Sequence, residues 1–473
     1  MDGLFGIEIA RKALSAAQYG MDVTSHNIAN ANTPGYTRQR ALLGTTTPFP
    51  APYWNRPLIQ GQLGTGVEVK TIERMRDGYF DSQMRLEGQS LGSWQIKDNA
   101  MKQIETIFNE PSEAGLLNIM GEFWNAWQQL SKNPESLSIR ANVVEMGRTL
   151  ATSFNQLDDK LSRLQDNLNE QIKTKVDDIN NIAQRIMALN QDILRVKAYG
   201  NQPNDLLDQR DNLIDELSRL ADVQIVGMDN GAIQIFLDGR LLVGEHEVDL
   251  LQVTSNPSNN GYYDVVWAVD GAQVGLNGGE VKSLLDTRDI TVNKYKGKLD
   301  TLASNLATEV NALHNAGFGL DGTTGWNFFD TTNLPITAKN ITISTDVTDL
   351  NHIAAASAWP LPNGAPGDNS NALAIGQLKD KLIGALGSIT LDDYYRSIVT
   401  DYGIESQEAG RMVTNGKLYF ELIETHRQSV SGVSLDEEAS NMIKFQRAYQ
   451  AAAKVVVAFD EMLDVLINGL VKW

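Results

Sequence analysis

The side chains best suited to chemistry are thinly spread along these 473 residues. Five histidines, His26, His246, His314, His352 and His426, stand isolated, and none has a second histidine or a carboxylate at metal-ligand spacing. The chain has no cysteine, which excludes disulfides, thiolate metal sites and a cysteine nucleophile. Paired acids, Asp158-Asp159 and Asp177-Asp178, sit on heptad segments and read as solvated outer faces. Gly61, Gly64 and Gly66 fall in GQLGTG, the wrong order for a dinucleotide fingerprint, and a strand follows them instead of a helix; they read as turn glycines. HExxH, GxSxG and GxxxxGK[ST] do not occur. Ser434 and Glu437 form S-x-x-E, the capping box of a helix start. The expectation is a protein that is not an enzyme, with no catalytic residues, no metal and no cofactor.

What the chain offers instead is periodicity. Met442, Phe445, Tyr449, Ala452, Val456, Phe459, Leu463, Leu466, Leu470 and Trp473 repeat at 3-4 spacing, which lines them along one stripe of an α-helix. Near the other end, Ile7, Ala10, Leu14, Ala17, Met21, Thr24 and Ile28 do the same. An isolated amphipathic helix is marginal in water. Two such helices at opposite ends of one chain are therefore expected to meet and to offer the joined pair to other copies.

Length suggests two to four domains. The formal charge is −19, which argues against nucleic acid as a partner. Residues 1–45 and 431–473 hold nine acids against eight bases, so nearly the whole excess lies between them. Near-neutral ends can pack on copies of themselves while an acidic middle keeps the body soluble. The start, MDGLFGIEIARKALSAA, has charges inside its apolar stretch and does not read as a signal peptide. The most apolar run, AAAKVVVAFDEMLDVLINGL, is broken by Lys454, Asp460, Glu461 and Asp464, so membrane insertion is not expected.

Along the chain, a first helix ends near Asn30 at the turn Ala31–Gly35, and residues 66–75 read as a strand. Helix is expected from 77 to 130, interrupted near Asn109–Ser112, and over 136–198 with room for one break. A 4-4 step at Leu168, Ile172 and Val176 marks a stutter. A further helix starts with an N-cap at Asn204 or Asp205. From Asp222 the period becomes two, with hairpin signals at Asp229-Asn230-Gly231, Asp238-Gly239 and Asn259-Asn260-Gly261. Helix returns over 280–316. Residues 317–370 are rich in Gly, Thr, Asn and Pro with one strand pattern at Ile341–Ser344, and helices resume from 370.

The fold class that follows is α+β, mainly α: long nested coiled-coil helices from the N- and C-terminal regions, with an inserted β domain at the tip. The expected domains are 1–45 with 431–473; 46–221 with 280–316 and 370–430; and 222–279 together with 317–369.

The stretch NIANANTPGYTRQ, Asn27 to Gln39, resembles the N-terminal signature of the bacterial flagellar axial proteins, the rod, hook and hook-associated subunits. Within that group, SGVSLDEEASNMIKFQRAYQAAAKVVVAFDEMLDVLINGL, Ser431 to Leu470, is similar to the hook-associated protein 1 family, the first hook–filament junction subunits. NDLLDQRDNLIDELS (Asn204–Ser218) and LATEVNALHNAGFGLDG (Leu306–Gly322) share that similarity. The resemblance implies paired terminal helices forming an inner tube, a helical outer tube and an exposed β domain. It implies an assembly interface on Ile7, Leu14, Met21, Ile28, Asn30, Pro34, Gly35 and Tyr36, and on Met442, Phe445, Tyr449, Val456, Phe459, Leu463, Leu466 and Leu470. The implied partners are copies of the chain, hook protein below, a second junction protein and the flagellin filament above, and an export chaperone on the C-terminal helix. The implied location is the extracellular flagellum, reached by type III flagellar export. The alternatives are another axial subunit, of hook or distal rod, or, from a different class, a surface adhesin or enzyme carried on the β domain.

Overall fold

The computed structural model describes residues 2–49, 64–359 and 366–469. Gly61, Leu470 and Trp473 lie outside them, as does the side chain of Leu466.

Heptad segments become long helices. Helix α1 (Asp2–Asn30) leads into an antiparallel hairpin of β1 (Gln39–Thr45) and β2 (Val67–Arg74). Then follow α2 (Gly78–Phe108), α3 (Leu116–Lys132), α4 (Leu137–Ala198) and α5 (Asn204–Leu220). Beyond the β unit, α6 (Gly279–Asp286) runs through one π-helical stretch, Thr287–Val292, into α7 (Asn293–Ala316). A short α8 (Ser370–Gly376) precedes α9 (Leu391–Ser431) and α10 (Leu435–Gly469). The chain is mainly α with small antiparallel sheets, and its helices nest: α10 returns along α1, and α9 along α2. The second pairing is antiparallel, with Phe80 stacked on His426 at 5.8 Å and Gly88 facing Phe420. Strand β1 pairs with β2 across the boundary expected at residue 45, so the two sides of that boundary share a hairpin.

Helix α4 is the spine. Its 62 residues run unbroken for roughly 93 Å at 1.5 Å per residue. The stutter costs it no burial, since Leu168, Ile172 and Val176 are all in the core. Asparagines on α4 hold what surrounds it. Asn155 donates to the carbonyl of Ala338 at 2.9 Å, and Asn169 accepts from the Tyr263 amide at 2.8 Å. Asn180 satisfies both backbone groups of Leu251 at 2.8 Å, and Asn190 donates to Ile233 and Gly244. A primary amide both donates and accepts, so it can complete a strand edge that has no neighbouring strand.

The β unit has a three-stranded sheet, β3 (Val223–Gly227), β4 (Ile233–Leu237) and β5 (Arg240–Val243), and a hairpin of β6 (Leu251–Ser255) and β7 (Tyr263–Trp267). Asp238 and Gly239, both at positive φ, make the tight turn their sequence signals. The unit is mounted on the flank of the C-terminal half of α4, between Asn169 and Asn190, and does not stand beyond the end of the rod. Residues 317–356 pack instead on the N-terminal half of α4, where Arg140 donates to the Ile353 carbonyl and a Cβ on Gly147 would meet Phe328. They are therefore separate from the β unit. Their expected strand, Ile341–Ser344, makes only an isolated bridge between Ile343 and Phe329. This end is closed by Phe123, Trp124, Trp127, Phe328 and Phe329, all fully buried.

Three further expectations change. Asp158 does not face solvent: it is buried where α7 crosses α4, beside Lys296 at 3.5 Å. Helix α5 has Pro203 at its cap position and no side-chain cap. Asn204 is engaged with Gln39 and the Ile72 carbonyl, and Asp205 accepts from Gln39. Only half of the capping box forms. Ser434 accepts from the Glu437 amide, while the Glu437 carboxylate turns to Arg38 at 2.8 Å.

Candidate assembly interface

Small residues set the pairing of α1 and α10. Gly6 lies under the ring of Phe459, where a Cβ would come within 2.1 Å, and Gly20 lies under Phe445, where it would come within 2.5 Å. Asn27 donates to Glu438 at 3.1 Å. Each step of seven or fourteen residues up α1 is matched by the same step down α10, so the helices run antiparallel in heptad register. Ala10, Ala17, Thr24 and Ala452 are buried. Two phenyl rings seated on glycines require close helix axes, and only a face of Gly, Ala and Thr allows that.

The larger heptad residues are not fully enclosed by this pairing. Ile7, Leu14, Met21, Met442, Phe445, Val456, Phe459 and Leu463 are half-buried, while Ile28 and Tyr449 are exposed. On the outside of α10, Ile443, Val455, Val457, Met462 and Val465 are between 44% and 69% exposed, and Ile467, toward the seam side, is 63% exposed. The hairpin packs against α1 as well, with Gly66 (φ +111°) close to Ile9 and Lys12.

The turn after α1 does different work. Gly35, at φ +74°, leaves no room for a Cβ against Asn212 of α5. Tyr36 points inward: its hydroxyl donates to Asn27 at 2.8 Å and lies 3.0 Å from His26 Nδ1. Burial first, then the charges of Asp205, Asp208 and Glu438, hold that hydroxyl protonated. Asn30 donates to the His26 carbonyl, and Pro34 is exposed. Arg38 joins Glu438, almost wholly buried, to the exposed Glu437. Its backbone amide donates to the Ser431 carbonyl.

This turn is clasped to the acidic face of α5. Asp208 accepts from the Thr37 amide at 2.9 Å and from Arg74 at 2.7 Å. Asp211 accepts from Arg74 and Arg76, and Asp215 from Arg85 and Arg427. Burial works against the Arg76 charge, but its bond to Asp81 and the nearby Asp211, Asp81 and Asp215 outweigh it and raise its pKa. Strands, turn, α5 and α9 are thus tied by guanidinium–carboxylate bonds in which Arg74, Arg76 and Arg427 each bridge two different carboxylates; hydrogen bonds between charged groups are the stronger kind. A cleft of about 630 Å³ separates the turn from the α9–α10 link.

The signal for the glycines was available: Gly6 and Gly20 stand two heptads apart, opposite Phe459 and Phe445, also two heptads apart. The acidic face of α5 repeats as Asp205, Asp208, Asp211 and Asp215. What neither pattern discloses is its partner.

Elsewhere, His314 is fully buried, with Nδ1 2.7 Å from the Trp326 carbonyl and Nε2 accepting from the Ala354 amide. Burial lowers its pKa to about 4. Among the described residues no three His, Asp or Glu side chains gather as a metal site, and no helix is long and apolar enough to cross a membrane.

Comparison with known proteins agrees with this arrangement. The sequence profile "Flagellar hook-associated protein FlgK helical domain" matches residues 101–329. The profiles "Flagella basal body rod protein" and "Flagellar basal body rod FlgEFG protein C-terminal" match residues 7–37 and 425–469. Flagellar hook-associated protein 1 of Bacillus subtilis is 36% identical, over 98% of both chains. That of Escherichia coli is 26% identical over 98% of this chain and 99% of its own. A solved structure, the flagellar hook junction protein FlgK from Burkholderia pseudomallei, shares the fold with a TM-score of 0.65 at 17% identity, covering 74% of this chain and all of that one. With 36% identity to the Bacillus subtilis protein over 98% of both chains, this chain belongs to the flagellar hook-associated protein 1 family.

Proposed function

We propose that this chain is a structural subunit of the bacterial flagellum at the hook–filament junction, built into the axis through its paired terminal helices. The observation that carries the reading is the outer face of α10. After α1 is seated, five large apolar side chains from Ile443 to Val465 remain in water. Exposed apolar surface of that extent marks an interaction site, and a tube of many copies buries it on every subunit. The turn residues act one step removed: by clasping the pair to α5, Gly35 and Tyr36 set the angle at which it leaves the body. In this reading hook protein lies below, a second junction protein and flagellin lie above, and a chaperone covers α10 before type III export to the cell exterior. The inner tube corresponds to the terminal pair and the outer tube to the helical body.

The test replaces the gene in a motile bacterium with a Phe459→Asp variant, which sets a charge over Gly6. The expected outcome is a secreted chain whose body is folded by circular dichroism, absent from purified flagella, with flagellin shed into the medium. Normal filaments carrying the variant would overturn the reading.

A further inference from the structure

We propose that Asn277 is a site of spontaneous covalent modification, where the main chain converts an exposed side-chain amide into aspartate or isoaspartate; this stands without the assembly reading above. The chemistry needs an asparagine carboxamide followed by a residue with no Cβ to hinder approach, and a backbone amide free to attack. The amide nitrogen of Gly278 gives its proton to water or hydroxide and attacks Cγ of Asn277. A Cγ–N bond forms, the Cγ–Nδ2 bond breaks, and the leaving nitrogen takes a proton from solvent and departs as ammonia. Water then opens the cyclic imide at either carbonyl. One opening gives aspartate, the other isoaspartate, whose main chain runs through Cβ and Cγ. The balance is water consumed and ammonia released, with no oxidant or cofactor.

Asn-Gly recurs along the sequence, so the fold selects among its occurrences. Asn230 accepts from the Ala232 amide at 3.0 Å and donates to Glu245 at 2.9 Å, while the Gly231 amide is spent on the Met228 carbonyl. The Gly261 amide, after Asn260, donates to the Asn256 carbonyl at 2.9 Å. Gly416, after Asn415, lies inside α9, where each amide bonds to the carbonyl four residues back. Asn277 carries no such restraint. It is exposed, and among the described residues its carboxamide has no hydrogen-bond partner. The Gly278 amide has none either, because this residue precedes α6 in fully extended conformation, with φ −167° and ψ −178°. No bond must break before the nitrogen attacks.

The position gives the reaction a structural consequence, since here the β unit returns to the helical body. Ser93 donates to the Gly279 carbonyl at 3.0 Å, and a Cβ on Gly279 would come within 2.5 Å of the Leu220 carbonyl oxygen. Glu280 is buried between Lys175 at 2.9 Å and Arg219 at 2.7 Å. Aspartate at position 277 keeps the length of the chain and leaves these contacts in place. Isoaspartate inserts a methylene into the main chain beside them and displaces the start of α6.

The test incubates the purified full chain at mildly alkaline pH and follows each Asn-Gly peptide by mass spectrometry, with electron-transfer fragmentation to tell aspartate from isoaspartate. Asn277 is expected to convert about tenfold or more faster than Asn230, Asn260 or Asn415, since a hydrogen bond that must first break slows attack by about that factor. Both products are expected from it. In denaturing urea the rates at these sites are expected to converge. An unmodified Asn277, or conversion of any of the others at a comparable rate, would overturn the proposal. So would aspartate alone, the mark of direct hydrolysis by water, and so would the same ranking in urea, the mark of local sequence instead of fold. Hydrogen exchange at the start of α6 is expected to quicken as isoaspartate accumulates, and to stay constant in an Asn277→Gln variant, whose longer side chain cyclises far more slowly. An equal rise in both chains would overturn the structural consequence.

Discussion

At Gly20 one added carbon would lie 2.5 Å from the ring of Phe445, and at Gly6 it would lie 2.1 Å from that of Phe459. Neither ring can move inward, because the opposing face is backbone, so a larger residue must push the helices apart. Overpacking of this kind costs about 1–3 kcal/mol. Gly20→Val is therefore expected to speed hydrogen exchange along α1 and α10 while leaving α4 protected. Unchanged exchange in both terminal helices would show that the rings are not seated there. His314 makes a second prediction at this scale. Its folded pKa of about 4 lies below the ordinary 6.5, so the unfolded chain binds the extra proton. The contribution is complete above about pH 6.5 and is lost as pH falls toward 4, reaching about 3 kcal/mol by linkage. Denaturant unfolding between pH 7 and 4.5, with the imidazole followed by NMR, is expected to find His314 neutral throughout the folded state at pH 5.5. A protonated His314 at that pH would contradict its buried bond to Ala354.

Among the elements, α4 determines where everything else sits, and it does so through amides. Asn180 supplies both hydrogen bonds that Leu251 would otherwise take from a strand. Asn180→Ala is expected to accelerate exchange in β6 and β7 by the loss of about 1–3 kcal/mol from the orphaned groups, with the terminal helices unaffected; uniform destabilisation would argue against a local clamp. These amides also explain what could be read beforehand. Heptads give α1, α4 and α10 because apolar side chains recur at helical spacing, and Asp238-Gly239 gives a hairpin because two left-handed residues are cheap there. An isolated asparagine has no period, so the flank mounting of the β unit was invisible. The seam was half legible: its register followed from the apolar residues, but its closest contacts are glycine and alanine, which carry no hydrophobic signal. The turn at Gly35–Tyr36 and the acidic face of α5 are both distinctive in sequence, yet about 170 residues separate Thr37 from Asp208, and only the fold joins them.

For the whole molecule, the uneven charge and the unfinished terminal face describe the same design. The excess acid lies in the body, where like charges repel other copies. In the proposed assembly neighbouring copies cover the near-neutral α1–α10 pair, in which Met21 and Val456 are half-buried and Val457, Val465 and Ile467 more than half in water. The clasp of Arg38, Glu438 and the aspartates of α5 then holds the pair at a fixed angle to the body. Because the chain contains no cysteine, single thiols can report on that face without interference. The most direct measurement places one cysteine at Ile443, Val457 or Val465 and compares its rate of alkylation in the free chain and in intact purified flagella. Rapid labelling of the free chain and at least about tenfold protection in flagella is the expected result. Equal rates in both states, or protection already present in the free chain, would contradict burial of this face between copies.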